Sequence, residues 1–238
     1  MKTIGLIGGM SWESTTLYYQ TINREFARRL GGLHSAPFHL ISLNFEDIAA
    51  RQRRGDWAGL GDILSNAARC LEEGGAKCVL IGTNTMHKVA TEVQSAISVP
   101  LLHIAEVTAD AILAHKLKKV GLLGTRFTME QPFYTEHLAG RGIDCVVPNE
   151  ADRAEVHRII FEELCKGEFK DSSRDRLKDI CAGLARDGAE GIVLGCTELP
   201  LILGSGDVSL PIFDTTVLHA MAAVEFALDN MPVKSTAH

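Results

Sequence analysis

Short apolar runs alternate with amphipathic segments along the whole chain. Each run is continuous instead of alternating with polar residues, which is typical of parallel strands that are covered on both faces. The alternation of strands and helices predicts the α/β class, with parallel sheets flanked by helices. The predicted strands are residues 4–7, 39–43, 78–81, 101–104, 120–123, 144–147, 192–194 and 211–213.

Apolar residues at helical spacing fill the intervals between these strands. Leu60 and Leu64, for example, belong to an amphipathic pattern that ends just before Gly74. Similar patterns end before Gly167 and Gly188. Glycine beyond the last apolar position is typical of a helix C-cap, so we expect helices to end at these three places.

The order of elements, βαβαβαβ, occurs twice, and the two halves share sequence landmarks. The stretch "KTIGLIGG" near the start of the chain matches "KKVGLLGT" in its middle. Three pairs of positions keep nearly constant separations of 116, 113 and 111 residues, namely Gly5 with Gly121, Thr83 with Cys196, and Pro100 with Pro211. This spacing is typical of a duplicated unit. It predicts two pseudo-symmetric domains, each a parallel four-stranded sheet flanked by helices.

The predicted first domain comprises residues 1–104 and 215–238, because a final helix can return to it. The predicted second domain comprises residues 105–214. Ligands of parallel α/β sheets bind beyond the carboxyl ends of the strands. Two facing sheets therefore predict an active site in the cleft between the domains, with Thr83 on one wall and Cys196 on the other.

Composition narrows the class of protein. The chain has 238 residues, of which 46% are hydrophobic, but no apolar run is long enough to span a membrane. The N-terminal "MKTIGLIGG" reaches glycine too early for a signal peptide, so we expect a cytoplasmic protein. A net charge of −6 argues against nucleic acid as a partner. The six cysteines form no C-x-x-C pair, which argues against zinc. Because the sequence shows no secretory signal, we do not expect a disulfide framework either. Cys78, Cys145 and Cys165 lie in apolar runs or a helix and are expected in the core.

The first polar turn that suggests chemistry is "GGMSWEST", residues 8–15, after the first strand. Its two glycines let the backbone approach a ligand, and the N-terminus of the next helix, capped by Ser11, offers N–H groups to an anion. The stretch contains neither G-x-G-x-x-G nor a Walker motif, which argues against a dinucleotide or P-loop site. A tight strand-to-helix turn without a ligand explains the same residues, and both interpretations stay open.

A second turn, "TNTMHK", places Thr83, Asn84 and Thr85 at the end of the third strand. Any one of these short polar side chains is typical of a helix N-cap. Three in a row at the edge of a predicted cleft favour a cradle for a carboxylate. His87 is more typical of a packing or surface residue, with catalysis as the alternative.

The third turn, "GCTELP", carries Cys196 at the end of the seventh strand, and Thr197 and Glu198 then open a helical turn. N–H groups at a helix N-terminus depress the pKa of a nearby thiol. An ordinary cysteine titrates near about 8.5, so a small depression of the pKa produces thiolate at neutral pH. We therefore expect Cys196 to be the reactive cysteine of the chain.

Taken together, these turns resemble those of the cofactor-independent aspartate/glutamate racemase family. The resemblance covers nearly the whole chain, through "GGMSWEST", "QRRGDW", "TNTMHKV", "LGTRFTMEQPFY", "IIFEELCKGEF", "GCTELP" and "FDTT". It implies two pseudo-symmetric α/β domains, often assembled as a homodimer. It also implies that no pyridoxal phosphate, metal or nucleotide serves as a cofactor.

The usual chemistry of that family uses two cysteines on opposite faces of the substrate α-carbon. One thiolate removes the α-proton and the opposite thiol returns one. In this sequence the two positions fall on Thr83 and Cys196. The chain is most similar to a branch described as L-aspartate/glutamate-specific racemases, in which threonine occupies the first position. The resemblance thus implies racemisation of an acidic amino acid, with Cys196 as thiolate base and acid and Thr83 on the opposite face.

The same resemblance implies that the amino acid contacts Met10, Gln52, Thr83, Asn84, Thr85, Thr197 and Glu198. Glu198 stands where glutamate-only racemases usually carry histidine, which favours the aspartate-like branch. Gln52 stands where some relatives have arginine. Tight selection of the distal carboxylate would therefore need help from Arg51, Arg53 or Arg54.

Two other functions fit the sequence. A decarboxylase of the arylmalonate type needs one thiol and none opposite, which suits the missing first cysteine. A non-catalytic protein that binds dicarboxylates needs the cleft alone. Release of carbon dioxide from substituted malonates would identify the decarboxylase. Binding without exchange of a substrate hydrogen would identify the binding protein.

Overall fold

The computed structural model describes residues 1–229, so the predicted domain segment 230–238 lies outside the described residues. Within residues 1–229, the chain forms two parallel four-stranded sheets with α-helices between the strands. The predicted α/β class and the two four-stranded parallel sheets are confirmed. No helix in this described part is long and apolar enough to cross a membrane.

The chain divides into two compact units. The first contains Met1–Gly82, Val89–His103 and the described residues from 219 onward. The second contains Thr83–Lys88 and Ile104–Leu218. The turn that carries Thr83 therefore belongs to the same unit as Cys196. The domain boundaries proposed from the sequence stay a prediction.

The first unit holds a sheet with the strand order β2-β1-β3-β4. Its strands are β1 (Ile4–Gly8), β2 (Phe38–Ser42), β3 (Cys78–Ile81) and β4 (Leu101–Leu102). Its helices are α1 (Trp12–Leu30), α2 (Phe45–Arg54), α3 (Trp57–Glu73) and α4 (Ala90–Ser95). The Ser11 hydroxyl caps α1 by accepting the Ser14 N–H, as the sequence predicts.

The second unit holds a sheet with the strand order β6-β5-β7-β8. Its strands are β5 (Lys119–Gly124), β6 (Asp144–Val146), β7 (Ile192–Gly195) and β8 (Ile212–Asp214). Its helices are α5 (Ile104–Ala114), α6 (Arg126–Glu130), α7 (Pro132–Gly140), α8 (Glu150–Arg158) and α9 (Asp171–Arg186). A last helix, α10 (Thr215–Leu228), begins in this unit and continues into the first. Both sheets thus place their second, first, third and fourth strands in that order, as expected for a duplicated unit.

Apolar residues cover both faces of the second sheet, which explains the continuous apolar runs. On β7, Ile192 and Leu194 pack into one hydrophobic cluster, whereas Val193 packs into the cluster on the other face. On β5, Leu122 and Leu123 divide between the same two clusters. Burial of alternate residues on opposite faces is the expected pattern for a strand between two helical layers.

Two of the predicted elements end differently in the structure. The fourth strand was expected to reach residue 104, but Ile104 begins α5 and β4 has only two residues. The helix expected to end at Gly167 is interrupted, because a π-helical turn (Ile159–Glu163) and a 3₁₀ turn (Leu164–Lys166) follow α8. Gly167 itself adopts the predicted left-handed C-cap conformation.

Candidate active site

The turn after β7 buries a thiol against a carboxylate. Cys196 follows the last residue of β7 and is 6% exposed. Its Sγ donates to Oε2 of Glu198 at 3.0 Å, and the Thr197 hydroxyl donates to the same oxygen at 3.0 Å. One carboxylate oxygen therefore holds two donors from the two preceding residues.

This environment raises the pKa of the Cys196 thiol well above its ordinary value, first through burial and then through the negative charge of Glu198. The expectation of a depressed pKa is therefore wrong. Its basis was a helix N-terminus, but the segment that follows is a 3₁₀ turn of three residues, Leu199–Leu201. The macrodipole of so short a turn is small, and the adjacent carboxylate outweighs it.

Four of the other five cysteines are packing residues, whereas Cys70 is exposed. Burial raises the pKa of Cys78, Cys145 and Cys181 to about 12. Cys78 is fully buried in the core of the first unit, and the partly buried Cys145 and Cys165 pack against hydrophobic clusters of the second. The three cysteines expected in the core thus lie in or against it.

The turn after β3 is tied to β7 by a directional chain of hydrogen bonds. Nδ2 of Asn84 donates to the Thr215 hydroxyl at 2.9 Å, and this hydroxyl donates to the carbonyl of Leu194 at 2.8 Å. A carbonyl can only accept, so the Thr215 oxygen must accept from Asn84. This order fixes the amide orientation and turns Asn84 Oδ1 away from Thr215. Oδ1 is buried and has no hydrogen-bond partner among the described residues.

Three buried hydroxyl groups form a triangle. One belongs to Thr85, which follows Asn84 in the sequence, and the other two belong to Thr125 and Thr128, which follow the end of β5. The Thr85 hydroxyl lies 3.0 Å from that of Thr125 and 3.4 Å from that of Thr128, which lie 3.2 Å from each other. Thr85 thus serves as a tertiary contact and not as a side-chain cap. Sequence reasoning did not single out Thr125 and Thr128. Their T-x-x-T spacing after the strand-ending Gly124 was the available signal.

His87 is held by the backbone through both ring nitrogens. The N–H of Ile104 donates to its Nε2 at 3.1 Å, so the proton of the neutral ring belongs on Nδ1. Nδ1 then donates to the Thr83 carbonyl at 2.9 Å. The ring fixes the position of Thr83 relative to the start of α5, which supports the packing interpretation over catalysis.

The turn after β1 is stabilised by its own side chains. Gly9 has a φ of +83°, and an added Cβ would lie 2.2 Å from the Leu43 carbonyl, so no other residue fits there. Its N–H donates to the Thr15 hydroxyl, which donates to the Ser11 carbonyl. These bonds favour the tight-turn interpretation at Gly9. Met10, the next residue, is buried.

The predicted site residues divide between the two units. Met10 and Gln52 are buried in the first unit, whereas Thr83, Asn84, Thr85, Cys196, Thr197 and Glu198 all belong to the second. Two arginines near Gln52 are engaged in ion pairs, Arg51 with Asp56 and Arg53 with Glu46. Within residues 1–229, no three His, Cys, Asp or Glu side chains are placed to share a metal ion.

Comparison with known proteins gives a consistent result. Residues 7–223 match the family described as Asp/Glu/Hydantoin racemase. A proposed Asp/Glu racemase from Yersinia pestis is similar in structure, with a TM-score of 0.89 and 48% identity over 96% of this chain and 100% of that one. An aspartate racemase homologue from Pyrococcus horikoshii OT3 has a TM-score of 0.81 and 39% identity over 95% and 99%. The broad specificity amino-acid racemase RacX of Bacillus subtilis is 24% identical over 93% of this chain and 96% of its own length.

Proposed function

This chain belongs to the Asp/Glu/hydantoin racemase family and is a racemase; from that premise we propose that it acts at the α-carbon of L-aspartate and L-glutamate. Cys196 is the base that removes the α-proton of the L-isomer and the acid that can return it. Thr83 serves the opposite face of the α-carbon. No pyridoxal phosphate or metal takes part.

One observation carries the assignment of both turns to one site. The hydrogen bonds from Asn84 to Thr215 and from Thr215 to Leu194 join the Thr83 turn to the strand that presents Cys196. The duplicated fold has a hydroxyl and a thiol at equivalent turns. The buried hydrogen bonds connect these two turns within one compact unit.

Asn84 supports an amino acid as the substrate. A buried carbonyl oxygen without a donor is costly, at about 1–3 kcal/mol. Oδ1 of Asn84 is such an oxygen, and a substrate α-ammonium group supplies the missing donor. A substituted malonate carries no such group, so this oxygen favours the racemase over the decarboxylase. The role we propose for Asn84 is therefore a contact with the ammonium group, in place of the carboxylate contact expected from the sequence.

The hydroxyl triangle supports a place for the α-carboxylate. Thr85, Thr125 and Thr128 each bring one hydroxyl proton, and those protons can turn from one another to a carboxylate oxygen. Donors aimed at the carboxylate also stabilise the charge that develops on it when the α-proton leaves. Met10, Gln52 and Thr197 remain proposed contacts on the strength of the family resemblance.

The acidic substrate is proposed from the relatives. Two similar structures are described as a proposed Asp/Glu racemase and an aspartate racemase homologue, with 48% and 39% identity. RacX, described as having broad specificity, is more distant at 24% identity. Because this relative has broad specificity, the assay must also compare neutral amino acids with aspartate and glutamate as substrates.

The chemistry is asymmetric between the two faces. A thiolate is a competent base near neutral pH, whereas a threonine hydroxyl holds its proton too tightly to be a good acid or base. The L-isomer should lose its α-hydrogen to Cys196 and often regain one from the same thiol. Inversion needs the slower delivery from the Thr83 side. The two enantiomers have equal free energy in water, so the enzyme cannot favour one of them at equilibrium. Specificity for the L-isomer can therefore mean only that its α-hydrogen exchanges faster than that of the D-isomer.

Incubation in deuterated water without added cofactor tests the proposal. NMR should show loss of the α-hydrogen of L-aspartate or L-glutamate, and chiral chromatography should show slower appearance of the D-isomer. Activity should persist with a chelator and with hydroxylamine, which removes pyridoxal phosphate. Absence of exchange for both acidic amino acids refutes the proposal. Release of carbon dioxide from substituted malonates would then support the decarboxylase, and binding without exchange the binding protein.

We extend the proposal to a homodimer, which the family resemblance implies, and to a cytoplasmic location, which the usage of cysteine favours. Light scattering after size-exclusion chromatography should give about twice the 25.8 kDa mass of the chain. Cell fractionation should recover the protein with cytoplasmic markers. A monomeric mass would contradict the homodimer, and recovery with the cell envelope would contradict the cytoplasmic location.

A further inference from the structure

The Cys196 thiol and the Glu198 carboxylate form a buried hydrogen-bonded pair. Sγ of Cys196 lies 3.0 Å from Oε2 of Glu198, and the Thr197 hydroxyl fixes the same oxygen at 3.0 Å. The three residues are 6%, 3% and 1% exposed in the order Cys196, Glu198, Thr197. A carboxylate can only accept hydrogen bonds, so the thiol must keep its proton to make this contact.

We propose that Glu198 keeps the Cys196 thiol protonated before substrate binds, and that the α-ammonium group of an amino acid releases the thiol by taking this carboxylate as its own partner. The inference rests on the proposed function, since it requires an amino acid as the ligand. Glu198 acts through Cys196, as a positioning residue that couples binding of the ligand to formation of the base.

Protons and charges balance in this step. Before binding, Glu198 carries the negative charge and accepts the S–H bond. The ammonium group brings one positive charge to the carboxylate. The S–H bond then breaks, its electron pair stays on sulfur, and the proton passes to solvent water. The thiolate that results takes the α-proton of the bound L-isomer and becomes a thiol again.

The charges around the thiol explain why a ligand is needed. The titratable groups that act on Cys196 are Glu198 and, from the 3₁₀ turn Leu164–Lys166, Cys165. Each carries negative charge when it is ionised, and each therefore opposes a thiolate. An ammonium group adds the opposite charge. Asn84 Oδ1, a second buried acceptor of the same unit, offers that cation another partner.

The proposal separates thiol reactivity from catalysis. Replacing Glu198 by glutamine removes the negative charge while preserving the shape of the side chain. The thiol should then ionise more readily in the absence of substrate, yet catalysis should fall because the ammonium group has lost its partner. If Glu198 were only a structural or substrate contact, its loss would not make the thiol more reactive.

Alkylation of the substrate-free protein provides the first test. Iodoacetamide is reacted over a series of pH values, and mass spectrometry follows the peptide that contains Cys196. In Glu198→Gln we expect the alkylation midpoint to fall by about one pH unit or more, and the rate at pH 8 to rise about tenfold. The α-hydrogen exchange of L-aspartate should fall in the same variant. Thr197→Val, which leaves the charge in place, should shift the midpoint much less.

Proton release provides the second test. α-Methyl-L-aspartate carries an ammonium group but no α-hydrogen, so it can bind without reacting. Methylsuccinate lacks the ammonium group. At saturation near pH 8, an indicator dye should record proton release on binding of the first compound and much less with the second. Cys196→Ser should abolish the difference between them.

Each outcome decides one part of the inference. An unchanged or higher alkylation midpoint in folded Glu198→Gln overturns the role of Glu198. If that variant does not fold, Glu198→Asp should show the same direction with a smaller shift, and no shift there overturns it equally. Equal proton release with both ligands overturns the role of the ammonium group. A wild type that exchanges no α-hydrogen, but whose Glu198→Gln variant alkylates faster, refutes the proposed function and supports the pairing of thiol and carboxylate.

Discussion

The turn after β3 and the turn after β7 have the same shape in sequence but different chemistry. One reads Gly82, Thr83, Asn84, Thr85 and the other reads Gly195, Cys196, Thr197, Glu198. Each follows the third strand of its sheet. They differ in the proposed reacting group, which is a hydroxyl in the first turn and a thiol in the second. They also differ two residues later. There the first turn has the Thr85 hydroxyl, hydrogen-bonded to Thr125, whereas the second has the Glu198 carboxylate, hydrogen-bonded to the Cys196 thiol.

This second difference is the more informative. A thiol at the first turn would have the Thr85 hydroxyl two residues away, and a neutral hydroxyl neither restrains nor releases a thiol proton as a carboxylate does. In our proposal, the second turn contains both a base, Cys196, and a group that controls it, Glu198. We therefore interpret the asymmetry of the fold as a specialisation of two positions in one turn, with the other turn reduced to binding and weak proton delivery.

The largest expected effect is loss of the base. Cys196→Ala should reduce α-hydrogen exchange of L-aspartate by about 10³-fold or more, because general base catalysis contributes about 10²–10⁴-fold. Cys196→Ser should be nearly as inactive, since a hydroxyl is a much weaker base. NMR in deuterated water measures both.

Cys70 provides the matched control, because it is an exposed free thiol on α3. Cys70→Ser should keep wild-type exchange. If Cys196→Ala retains activity within tenfold of the wild type, the base lies elsewhere and the comparison between the two turns loses its basis.

The fold could be predicted from the sequence because its signals are local. Continuous apolar runs mark the parallel strands, and the strands at residues 78–81 and 192–194 agree with β3 and β7 to within one residue. The end of the fourth strand could not be predicted, because Ile104 is apolar and suits a strand as well as the first turn of α5. Tertiary packing decides between those two states.

The candidate site was predictable in residue type but not in environment. The sequence singled out Cys196, yet the direction of its pKa shift depends on where the Glu198 side chain points and on burial, and neither follows from spacing. Thr125 and Thr128 were missed because only the folded chain brings them to Thr85. The orientation of the Asn84 amide likewise depends on a contact with Thr215, 131 positions away.

The next largest effect concerns substrate capture. Asn84→Ala should raise KM for L-aspartate by about 10–100-fold with a smaller change in kcat, because hydrogen bonds to charged groups contribute about 1.5–3 kcal/mol and about 1.4 kcal/mol corresponds to tenfold. Inhibition by succinate, which lacks the ammonium group, should change little. Steady-state kinetics with both compounds measures the difference.

Thr215→Val is the control for amide orientation, since it removes the anchor and leaves Asn84 in place. We expect a smaller rise in KM than for Asn84→Ala. If succinate and L-aspartate lose affinity equally in Asn84→Ala, then Asn84 contacts a carboxylate, and the turn after β3 does not recognise the ammonium group.

A smaller effect is expected when the first turn gains a thiol. Thr83→Cys should speed α-hydrogen exchange of D-aspartate, which we expect the wild type to exchange slowly, because a thiol is a better acid and base than a hydroxyl. We expect a gain of about tenfold at most, since the first turn has no counterpart of the hydrogen bond by which Glu198 positions the Cys196 thiol. Separate exchange assays on the two enantiomers measure it.

The result for the L-isomer sharpens that test. Its exchange should stay near the wild-type rate in Thr83→Cys, while its racemisation rises. If exchange of D-aspartate does not change, or if wild-type L-aspartate exchanges no faster than it racemises, then the threonine at this turn does not set the stereochemical bias.

The smallest effect compares the glycines that precede the two reacting groups, and it is measured in stability. A Cβ added at Gly195 would lie 3.0 Å from the Leu123 carbonyl oxygen and 2.7 Å from Cδ1 of Leu122, whereas at Gly82 the nearest atom is the Ile7 carbonyl oxygen at 3.2 Å. The Leu122 methyl can move, but the Leu123 carbonyl belongs to β5, which pairs with β7, so the two strands would have to shift apart there. Gly195→Ala should therefore lower the free energy of unfolding by about 1–3 kcal/mol, and Gly82→Ala by less.

A protein of this size loses about 2–4 °C in Tm per kcal/mol, so calorimetry can rank the two variants. Equal Tm values, or a lower Tm for Gly82→Ala, would show that the turn carrying Cys196 is no more tightly packed than its counterpart.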